Sequence, residues 1–257
     1  MASDLETQAL KTITCACGKV CLNKGGYLAH SRSAKCPANI TLNSIGALTI
    51  NPVSATSKRP HSMIADVETT GFPDRGSLRF GEYPNYQDAA SYEKCRIVKL
   101  SYMLVNEEME PISTKNMIIR PDGFHITNSH IHGVTNEIAA TEGIDIEQCM
   151  RIFQEDLAQV SNFAAHNAAF DANVIKSELH RYGMFDILRM FESKRIVCTM
   201  ERLKNTVKAL NSYGSIKAPS LGELFAMATG EAMLNAHDST WDVANLHRAL
   251  VALKFRV

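Results

Sequence analysis

Two carboxylates, Asp66 and Glu68, stand one residue apart in the stretch ADVET. The apolar run before them predicts a buried strand that reaches about Val67, where a turn follows. Because residues i and i+2 of a strand point to the same face, the two carboxylates would lie side by side and repel each other. A cation between them would remove that repulsion, and open α/β sheets bind ligands at the carboxyl ends of their strands. A pair of solvent-facing acids at a strand end explains this stretch equally well.

Three more residues of related chemistry come later in the chain. Asp171 stands in AHNAAFD at a predicted strand-to-helix junction, and Asp242 stands in AHDSTWD in the first turn of the last predicted helix. Acids are common in first turns because the helix dipole stabilises them. His237 precedes Asp242 by five residues, and an imidazole can accept a proton at neutral pH. Asp238 or Ser239 is the predicted N-cap of that helix.

The elements around these motifs predict a mixed sheet covered by helices. Strands are predicted over CRIVKLSYMLVN, PISTKNMIIRP, SNFAAHN and SKRIVCTM. Helices are predicted over EQCMRIFQEDLAQV, AAFDANVIKSELHRYG and STWDVANLHRALVALKF, and over SLGELFAMATG, which begins with a Ser220–Glu223 capping-box pattern. A long polar loop over residues 72–95 interrupts this order. The sequence leaves open whether the loop is a flap that faces nucleic acid or an insertion.

The chain has 257 residues, 45% of them hydrophobic, and its net charge of zero is unevenly distributed. Residues 1–60 hold seven Lys/Arg and two Asp/Glu, whereas residues 61–257 hold 20 Lys/Arg and 25 Asp/Glu. A basic head suits a polyanion and an acidic body suits hard cations, although ordinary solvation produces similar imbalances. No apolar run is long enough to span a bilayer, and the first residues lack a signal-peptide pattern. We therefore expect an intracellular protein, in the cytoplasm or the nucleus, that is not secreted.

The stretches DVETTG, HNAAFD and HDSTWD, in this order, resemble the three motifs of the DEDDh 3′→5′ exonucleases, the family of DNA polymerase III epsilon-like proteins. The resemblance covers residues 62–253 and implies an α/β, RNase H-like exonuclease fold with a five-stranded mixed sheet flanked by helices. It implies that His237 is the general base and that two Mg²⁺ or Mn²⁺ ions assist the displacement at phosphorus. The implied metal ligands are Asp66, Glu68, Asp171 and Asp242.

The same resemblance implies substrate contacts near the first two motifs. Phe72 follows the TTG turn, where the family has an apolar residue against the terminal base, and Thr69 would meet the terminal sugar. Stacking of a base on an aromatic ring contributes ~1–3 kcal/mol and tolerates any sequence. His166 and Asn167 would hold the terminal nucleotide or orient Asp171. A hydrogen-bonded strand end explains these last two residues equally well.

A Cys/His segment over residues 12–40 resembles a C2H2-type zinc finger in its C2HC variant. The departure lies at its start, where Cys15-x-Cys17 is one residue shorter than the usual knuckle. Four of five candidates would therefore bind one Zn²⁺ in tetrahedral geometry, because a segment this short needs a metal to fold. The candidates are Cys15, Cys17, Cys21, His30 and Cys36. A disordered tail with free thiols is the alternative.

These predictions divide the chain into a zinc-finger-like module (12–40), a linker (41–61) and a DEDDh exonuclease domain (62–257). The expected activity is metal-dependent removal of nucleoside 5′-monophosphates from the 3′ end of nucleic acid. We expect single-stranded DNA as the favoured substrate, in proofreading, repair or end trimming, and a polymerase or repair complex as a partner. The alternatives are an exoribonuclease that trims RNA 3′ ends and a non-catalytic nucleic-acid-binding subunit of such a complex. A non-catalytic protein would be expected to have lost a ligand or the histidine, and all five residues are present.

Overall fold

The computed structural model describes residues 59–79, 81–233 and 237–257, together with the backbone of two short strands near the N-terminus. The chain divides into two compact units, Met1–Ser54 and Ala55–Val257. In the first unit, β1 (Ile13–Thr14) and β2 (Val20–Cys21) pair antiparallel. The side chains of the predicted zinc ligands lie outside the described part of the chain, as does most of the predicted linker, residues 41–61.

The second unit is built on a five-stranded sheet. Its strands, in chain order, are β3 (Ser62–Thr69), β4 (Ile97–Val105), β5 (Pro111–Ile118), β6 (Asn162–Ala165) and β7 (Arg195–Cys198). They lie in the order β5-β4-β3-β6-β7, with β3, β4 and β5 antiparallel and with β6 and β7 parallel to β3. The predicted mixed five-stranded sheet is confirmed. Strand β3 continues to Thr69, beyond the predicted end at Val67.

Helices cover both faces of this sheet. Within the described residues they are α1 (Ser129–His132), α2 (Asn136–Glu142), α3 (Ile146–Leu157), α4 (Ala168–Arg181), α5 (Phe185–Glu192), α6 (Thr199–Val207), α7 (Leu221–Thr229) and α8 (Ser239–Ala252). Met63 and Val67 pack with α3, α4 and α5, whereas Ile64 packs with α6, α7 and α8. Because side chains alternate along a strand, Asp66 and Glu68 share the face that carries Ile64.

The termini of the last two helices follow the sequence prediction. The Ser220 hydroxyl accepts a hydrogen bond from the Glu223 backbone N–H and the Glu223 side chain returns one, so the capping box of α7 is confirmed. Asp238 is the N-cap of α8, where its side chain accepts from the Thr240 backbone N–H. The patterns do not predict α1, α2, α5 or α6, since helices of four to nine residues repeat their apolar positions at most twice. None of the described helices is long and apolar enough to cross a membrane.

Candidate active site

Strand β3 places Asp66 and Glu68 side by side near its carboxyl end. On the antiparallel neighbour β4, Ser101 stands opposite Asp66 and Lys99 stands opposite Glu68. Glu68 and Lys99 are both buried, although each carries a full charge in its usual state. The backbone pairing of two central strands therefore fixes the first two carboxylates of the predicted site, and it brings a lysine next to them.

Asp242, in the first turn of α8, completes an acidic cluster with these two residues. One carboxylate oxygen from each of Asp66, Glu68 and Asp242 lies within 4.8 Å of the others. Glu68 Oε1 and Asp242 Oδ1 are buried and have no hydrogen-bond partner among the described residues. Buried oxygens without partners are rare because desolvation is costly. Three hard oxygen donors in this arrangement fit a divalent cation.

Asp171 reaches the same place from the first turn of α4. Its carboxylate is 2% exposed, and Oδ1 accepts a hydrogen bond of 3.1 Å from the Val67 backbone N–H. That contact holds the side chain against β3, beside Asp66. All four predicted carboxylates line one cavity of about 340 Å³, so the fold brings together three elements that are distant in the sequence.

Burial raises the pKa of each of these carboxylates. It raises the pKa of Glu68 and of Asp171 to about 7 and that of Asp242 to about 6, and it places the pKa of Asp66 well above its usual value. At Asp66 and Glu68, the charges of neighbouring carboxylates add to burial, and the Lys99 ammonium opposes both. A bound cation would neutralise the repulsion and replace the lost solvation, so the electrostatics also fit a metal site.

His237 stands at the exposed edge of the cluster in an uncommon backbone state. Its φ of 64° lies in the left-handed region, which few residues other than glycine adopt. Its backbone N–H donates to Asp242 Oδ2 at 3.2 Å, and the residue lines the cavity with the four carboxylates. The left-handed turn therefore brings the two ends of the HDSTWD stretch to the same site, as the sequence predicts.

Two contacts from β4 hold the first residues of α8 in place. Lys99 Nζ donates to Asp238 Oδ1 at 2.5 Å, and the hydroxyls of Ser101 and Ser239 lie 2.7 Å apart in the interior. Asp238 is thus both the helix N-cap and the partner of a lysine that is 9% exposed. Since His237 directly precedes this turn, the strand beside the carboxylates also limits where the histidine can lie.

Two of the predicted substrate contacts face the cavity. Phe72 is 77% exposed, and its ring centroid lies 5.6 Å from that of Phe170. Thr69 is buried in the cavity wall, where its hydroxyl donates to the Gly71 carbonyl at 2.7 Å and its own carbonyl accepts from Asn128. An exposed aromatic ring next to a fixed backbone offers a stacking surface beside the carboxylates.

The other two predicted contacts are His166, which also lines the cavity, and Asn167, and the protein itself engages both. His166 Nε2 lies 2.9 Å from the Pro219 carbonyl and Nδ1 lies 3.1 Å from Thr199 Oγ1. Burial lowers the pKa of His166, and because a carbonyl only accepts, Nε2 carries a hydrogen. Asn167 has a left-handed φ of 71° and donates from Nδ2 to the Tyr83 hydroxyl at 2.9 Å. These contacts fit a hydrogen-bonded strand end better than a nucleotide contact through the nitrogens of the imidazole.

The polar loop over residues 72–95 packs on α4. Tyr92 is fully buried, and its hydroxyl donates to the Pro84 carbonyl at 2.9 Å. Arg181 of α4 forms an ion pair with Glu93 at 3.1 Å. Tyr83 extends from the same loop toward the site, with its ring centroid 5.9 Å from that of Phe170. The described residues of this loop therefore pack on the domain and place Tyr83 next to the cavity.

Some residues at the site are not predicted as site residues from the sequence, namely Lys99, Tyr83, Asn128 and His132. His132 accepts at Nδ1 from the Val134 backbone N–H, and its Nε2 lies 3.2 Å from Asn128 Oδ1. Asn128 then donates to the Thr69 carbonyl at 2.8 Å, so this network supports the end of β3. The stretch HGVT was the available signal for His132, since a histidine before a helix-ending glycine is visible in the sequence. The other contacts are visible only in the fold.

A mixed sheet with an acidic cluster at the carboxyl end of its central strand, and a histidine beside it, is the arrangement of a DEDD-type exonuclease. The model of the RNase_T exonuclease family matches residues 63–250, and the chain belongs to this family. The family implies divalent metal ions, and the cluster of Asp66, Glu68 and Asp242 could bind them.

Solved structures share this fold at low sequence identity. A moderately thermophilic exonuclease I from Methylocaldum szegediense is 17% identical, with a TM-score of 0.57 over 75% of this chain and 40% of that chain. E. coli exonuclease I in complex with a dT13 oligonucleotide is 16% identical, with a TM-score of 0.58 over 76% of this chain and 41% of that chain. The chain thus spans less than half the length of these proteins. None of the curated protein sequences compared with this chain is a significant match.

Proposed function

We propose that the chain is a 3′→5′ exonuclease of the DEDDh type that depends on divalent metal ions and removes nucleoside 5′-monophosphates from single-stranded DNA. One observation carries the proposal. Three carboxylates have oxygens within 4.8 Å of one another, and they share a cavity with a fourth carboxylate and a histidine. Hydrolysis of a phosphodiester with two metal ions requires such a set of hard donors. The histidine five residues before Asp242 favours the histidine subtype.

The metal ligands would be the four carboxylates of the cavity, Asp66, Glu68, Asp171 and Asp242, which would hold two Mg²⁺ or Mn²⁺ ions. When bound, such ions stabilise the charge on the attacking and leaving oxygens of an in-line displacement. Glu68 Oε1 and Asp242 Oδ1 are the donors that most need a cation, because both are buried without a partner among the described residues. The Val67 N–H orients Asp171 before any ion binds.

The other residues of the cavity would orient the substrate and move a proton. His237 would accept the proton of the attacking water, since it is exposed at the cavity while its backbone is tied to Asp242. Phe72 would stack on the terminal base, and Thr69 would contact the terminal sugar. Asn167 would orient the start of α4, the helix that carries Asp171, through its bond to Tyr83.

The preference for DNA is supported by two arguments. E. coli exonuclease I, which has a similar fold, was solved in complex with a dT13 oligonucleotide. The exposed Phe72 ring at the cavity suits an unpaired strand, because only an unpaired base offers its whole face for stacking. Proofreading, repair and end trimming all produce single-stranded DNA ends, and a polymerase or repair complex would be the expected partner.

Polarity is tested with a short single-stranded DNA labelled at its 5′ end and incubated with Mg²⁺. The proposal predicts a ladder of labelled products that shorten one nucleotide at a time, and immediate release of a labelled mononucleotide when the label is moved to the 3′ end. Asp66→Asn is the matched control because it keeps the side-chain shape and removes one charge. Cleavage of a circular strand, release from the 5′ end or unchanged activity of Asp66→Asn would contradict the proposal. Faster degradation of RNA of the same sequence would reject the preference for DNA.

We propose in addition that residues 12–40 form a zinc-finger-like module that a linker, residues 41–61, joins to the exonuclease domain beginning at residue 62. The Cys/His spacing supports this, and the antiparallel pair β1–β2 fits the ββα architecture of such fingers. The test is the zinc content of the purified full chain, with one ion per chain expected. Cys17→Ser and His30→Ala should lose the ion. Comparison of Cys15→Ser with Cys21→Ser identifies the fourth ligand, and a chain without zinc would exclude the module.

A further inference from the structure

The connection between α6 and α7 folds back on itself as a hairpin that one isolated β-bridge closes. Leu210 and Ile216 pair in an antiparallel bridge, and the Lys217 backbone N–H donates to the Ala209 carbonyl at 2.8 Å. At the turn, the Asn211 side chain accepts hydrogen bonds from the backbone N–H groups of Tyr213 and Ser215. These bonds give the connection a fixed shape, so its exposed side chains are presented by an ordered scaffold.

Large apolar side chains of this hairpin point to solvent. Tyr213 at the turn is 91% exposed, Leu210 is 57% exposed and Ile216 is 44% exposed. Single exposed apolar residues are normal, but a group of them on one projecting element is typical of a contact surface. A tyrosine at the tip of such an element offers a free ring face.

The charge of the same region differs from that of the domain around it. Residues 202–222 hold four Lys/Arg and no Asp/Glu, within a body, residues 61–257, that has 20 Lys/Arg and 25 Asp/Glu. Lys204 and Lys208 are one helical turn apart, and neither ammonium has an ion-pair partner within the described part of the chain. Lys217, by contrast, is paired with Glu223 at 2.6 Å. A segment that carries both unpaired lysines and an exposed aromatic ring is complementary to a single strand of nucleic acid.

Both ends of this region are attached to the wall of the candidate active site. Thr199, the first residue of α6, bonds to His166 Nδ1, and the Pro219 carbonyl after the hairpin accepts from His166 Nε2. His166 lines the cavity that contains the carboxylates. The segment from the start of α6 to Pro219 therefore begins and ends at the cavity wall. A chain extends at most ~3.3–3.6 Å per residue, so the tip at Tyr213 lies within the length of a short oligonucleotide.

We infer that residues 202–218, here called the basic arm, form a second contact site for the nucleic-acid strand, upstream of the 3′ end that enters the cavity. Lys204 and Lys208 contact phosphates, and Tyr213 stacks on a base. This inference rests on the proposed function, because it assigns the strand to the same site. The arm adds affinity for longer strands and plays no part in hydrolysis.

The test uses the full chain with Tyr213→Ala, Tyr213→Phe and the double variant Lys204→Ala/Lys208→Ala. Affinity for a twenty-nucleotide and a three-nucleotide oligo(dT) is measured by fluorescence anisotropy without metal, over a series of salt concentrations. Lys254→Ala is the control, since Lys254 is exposed and shares with Lys208 a φ of 53°, but follows the far end of α8. All substituted side chains other than the partly buried Lys204 are exposed, so the fold should be retained.

We expect Tyr213→Ala to weaken binding of the long strand about 5- to 150-fold, which corresponds to the ~1–3 kcal/mol of one stacked base. Tyr213→Phe should bind like the unsubstituted chain. The lysine pair should reduce the slope of log K against log salt by about 1.4, at roughly 0.7 per phosphate. The short strand should bind equally to all variants. Unchanged binding of the long strand by Tyr213→Ala and the lysine pair, or equal losses for both lengths, overturns the inference.

The inference and the proposed function fail in different ways. If the chain hydrolyses no strand but the arm variants still lose binding of the long strand, the arm is supported and the exonuclease assignment is wrong. If the chain hydrolyses DNA from the 3′ end and every arm variant has the same kcat/KM for long and short strands, the proposed function is supported and the arm is wrong.

Discussion

The two sides of the candidate active site are built in different ways. On the carboxylate side, Asp66 and Glu68 belong to the central strand, and a backbone N–H of that strand holds Asp171. On the other side, His237 is exposed, has a left-handed backbone and depends on the first turn of α8. Local stability follows buried contacts, so the sheet fixes the metal donors Asp66, Glu68 and Asp171 more firmly than the loop fixes the proton acceptor. Metal binding and proton transfer should therefore be separable by substitution.

Lys99 connects the two sides with opposite consequences. Its ammonium is paired with Asp238 next to His237, and so it steadies the histidine side. The same charge opposes the rise in pKa that burial and carboxylate repulsion cause at Asp66 and Glu68. The ammonium thus partly neutralises the carboxylates, as a bound metal ion would. A lysine in this place stabilises the metal-free site and competes with the metal ions that bind there.

The largest expected effect comes from substitutions that break one side at a time. Asp66→Asn should lower kcat at least about 10³-fold and abolish the rise in Tm that Mg²⁺ produces, because metal ions contribute several kcal/mol to the transition state. His237→Ala should lower kcat by about 10²- to 10⁴-fold and retain that rise. The measurements are steady-state kinetics and thermal unfolding with and without Mg²⁺.

The retained response to Mg²⁺ in His237→Ala is the discriminating result. Its loss would show that the histidine side also builds the metal site, and the contrast between the two sides would be wrong. Without metal, each variant should have the same Tm as the unsubstituted chain, or a higher one in the case of Asp66→Asn. That result would exclude misfolding as the cause of inactivity.

Lys99→Met should impair the histidine side and improve metal binding on the carboxylate side. Loss of the contact to Asp238 should lower kcat about 10-fold, since a lost cap or ion pair of roughly 1.4 kcal/mol corresponds to that factor. Removal of the positive charge should also lower the Mg²⁺ concentration that gives half-maximal activity. Metal titrations at saturating substrate measure both quantities. Lys99→Arg keeps the charge and should restore the metal requirement, and a higher Mg²⁺ requirement in Lys99→Met would contradict this account of the lysine.

The carboxylate side should also determine how stability depends on pH. Burial raises the pKa of Glu68 and Asp171 to about 7 and that of Asp242 to about 6, well above their values in an unfolded chain. Between about pH 4 and pH 7 the folded state then binds more protons than the unfolded state, so stability falls as pH rises through this window. In EDTA, Tm should be lower at about pH 8 than at about pH 5, and Mg²⁺ should reduce the difference.

Asp171→Asn removes one of the titrating groups and should flatten this dependence while it leaves the fold intact. A Tm in EDTA that is constant or rises over the same interval would show that these carboxylates are ionised at little cost. The buried, repelling cluster would then be a poor description of the metal-free site.

The sequence predicts the carboxylate side better than the histidine side because the former follows from local periodicity. A strand puts residues i and i+2 on one face, so Asp66 and Glu68 are adjacent as soon as the strand is recognised. Asp171 and Asp242 required the family motifs, since only the fold brings α4 and α8 to the end of β3. The left-handed backbone of His237 has no signal in the sequence, because that conformation usually calls for glycine or asparagine.

The supporting contacts were beyond prediction for a physical reason. Lys99 and Asp238 are far apart in the sequence, and their pairing depends on which residue of β4 stands opposite Glu68. Register between strands follows from the packing of whole faces and not from any one residue. Likewise, Asn128 meets the Thr69 carbonyl only because a loop returns to the end of β3.

The smallest expected effect is that of Tyr83→Phe, which tests whether the loop over residues 72–95 supports the carboxylate side. The substitution keeps the ring beside Phe170 and removes the hydroxyl that accepts from Asn167. A typical net hydrogen bond contributes about 1 kcal/mol, so KM should rise about 5-fold or less while kcat stays the same. Kinetics on a short DNA strand measure both values, with Tyr86→Phe as a matched control because Tyr86 bonds to Glu192 instead. A large fall in kcat for Tyr83→Phe alone would place the tyrosine hydroxyl among the groups that move protons, and the histidine would no longer be the single proton acceptor of the proposed reaction.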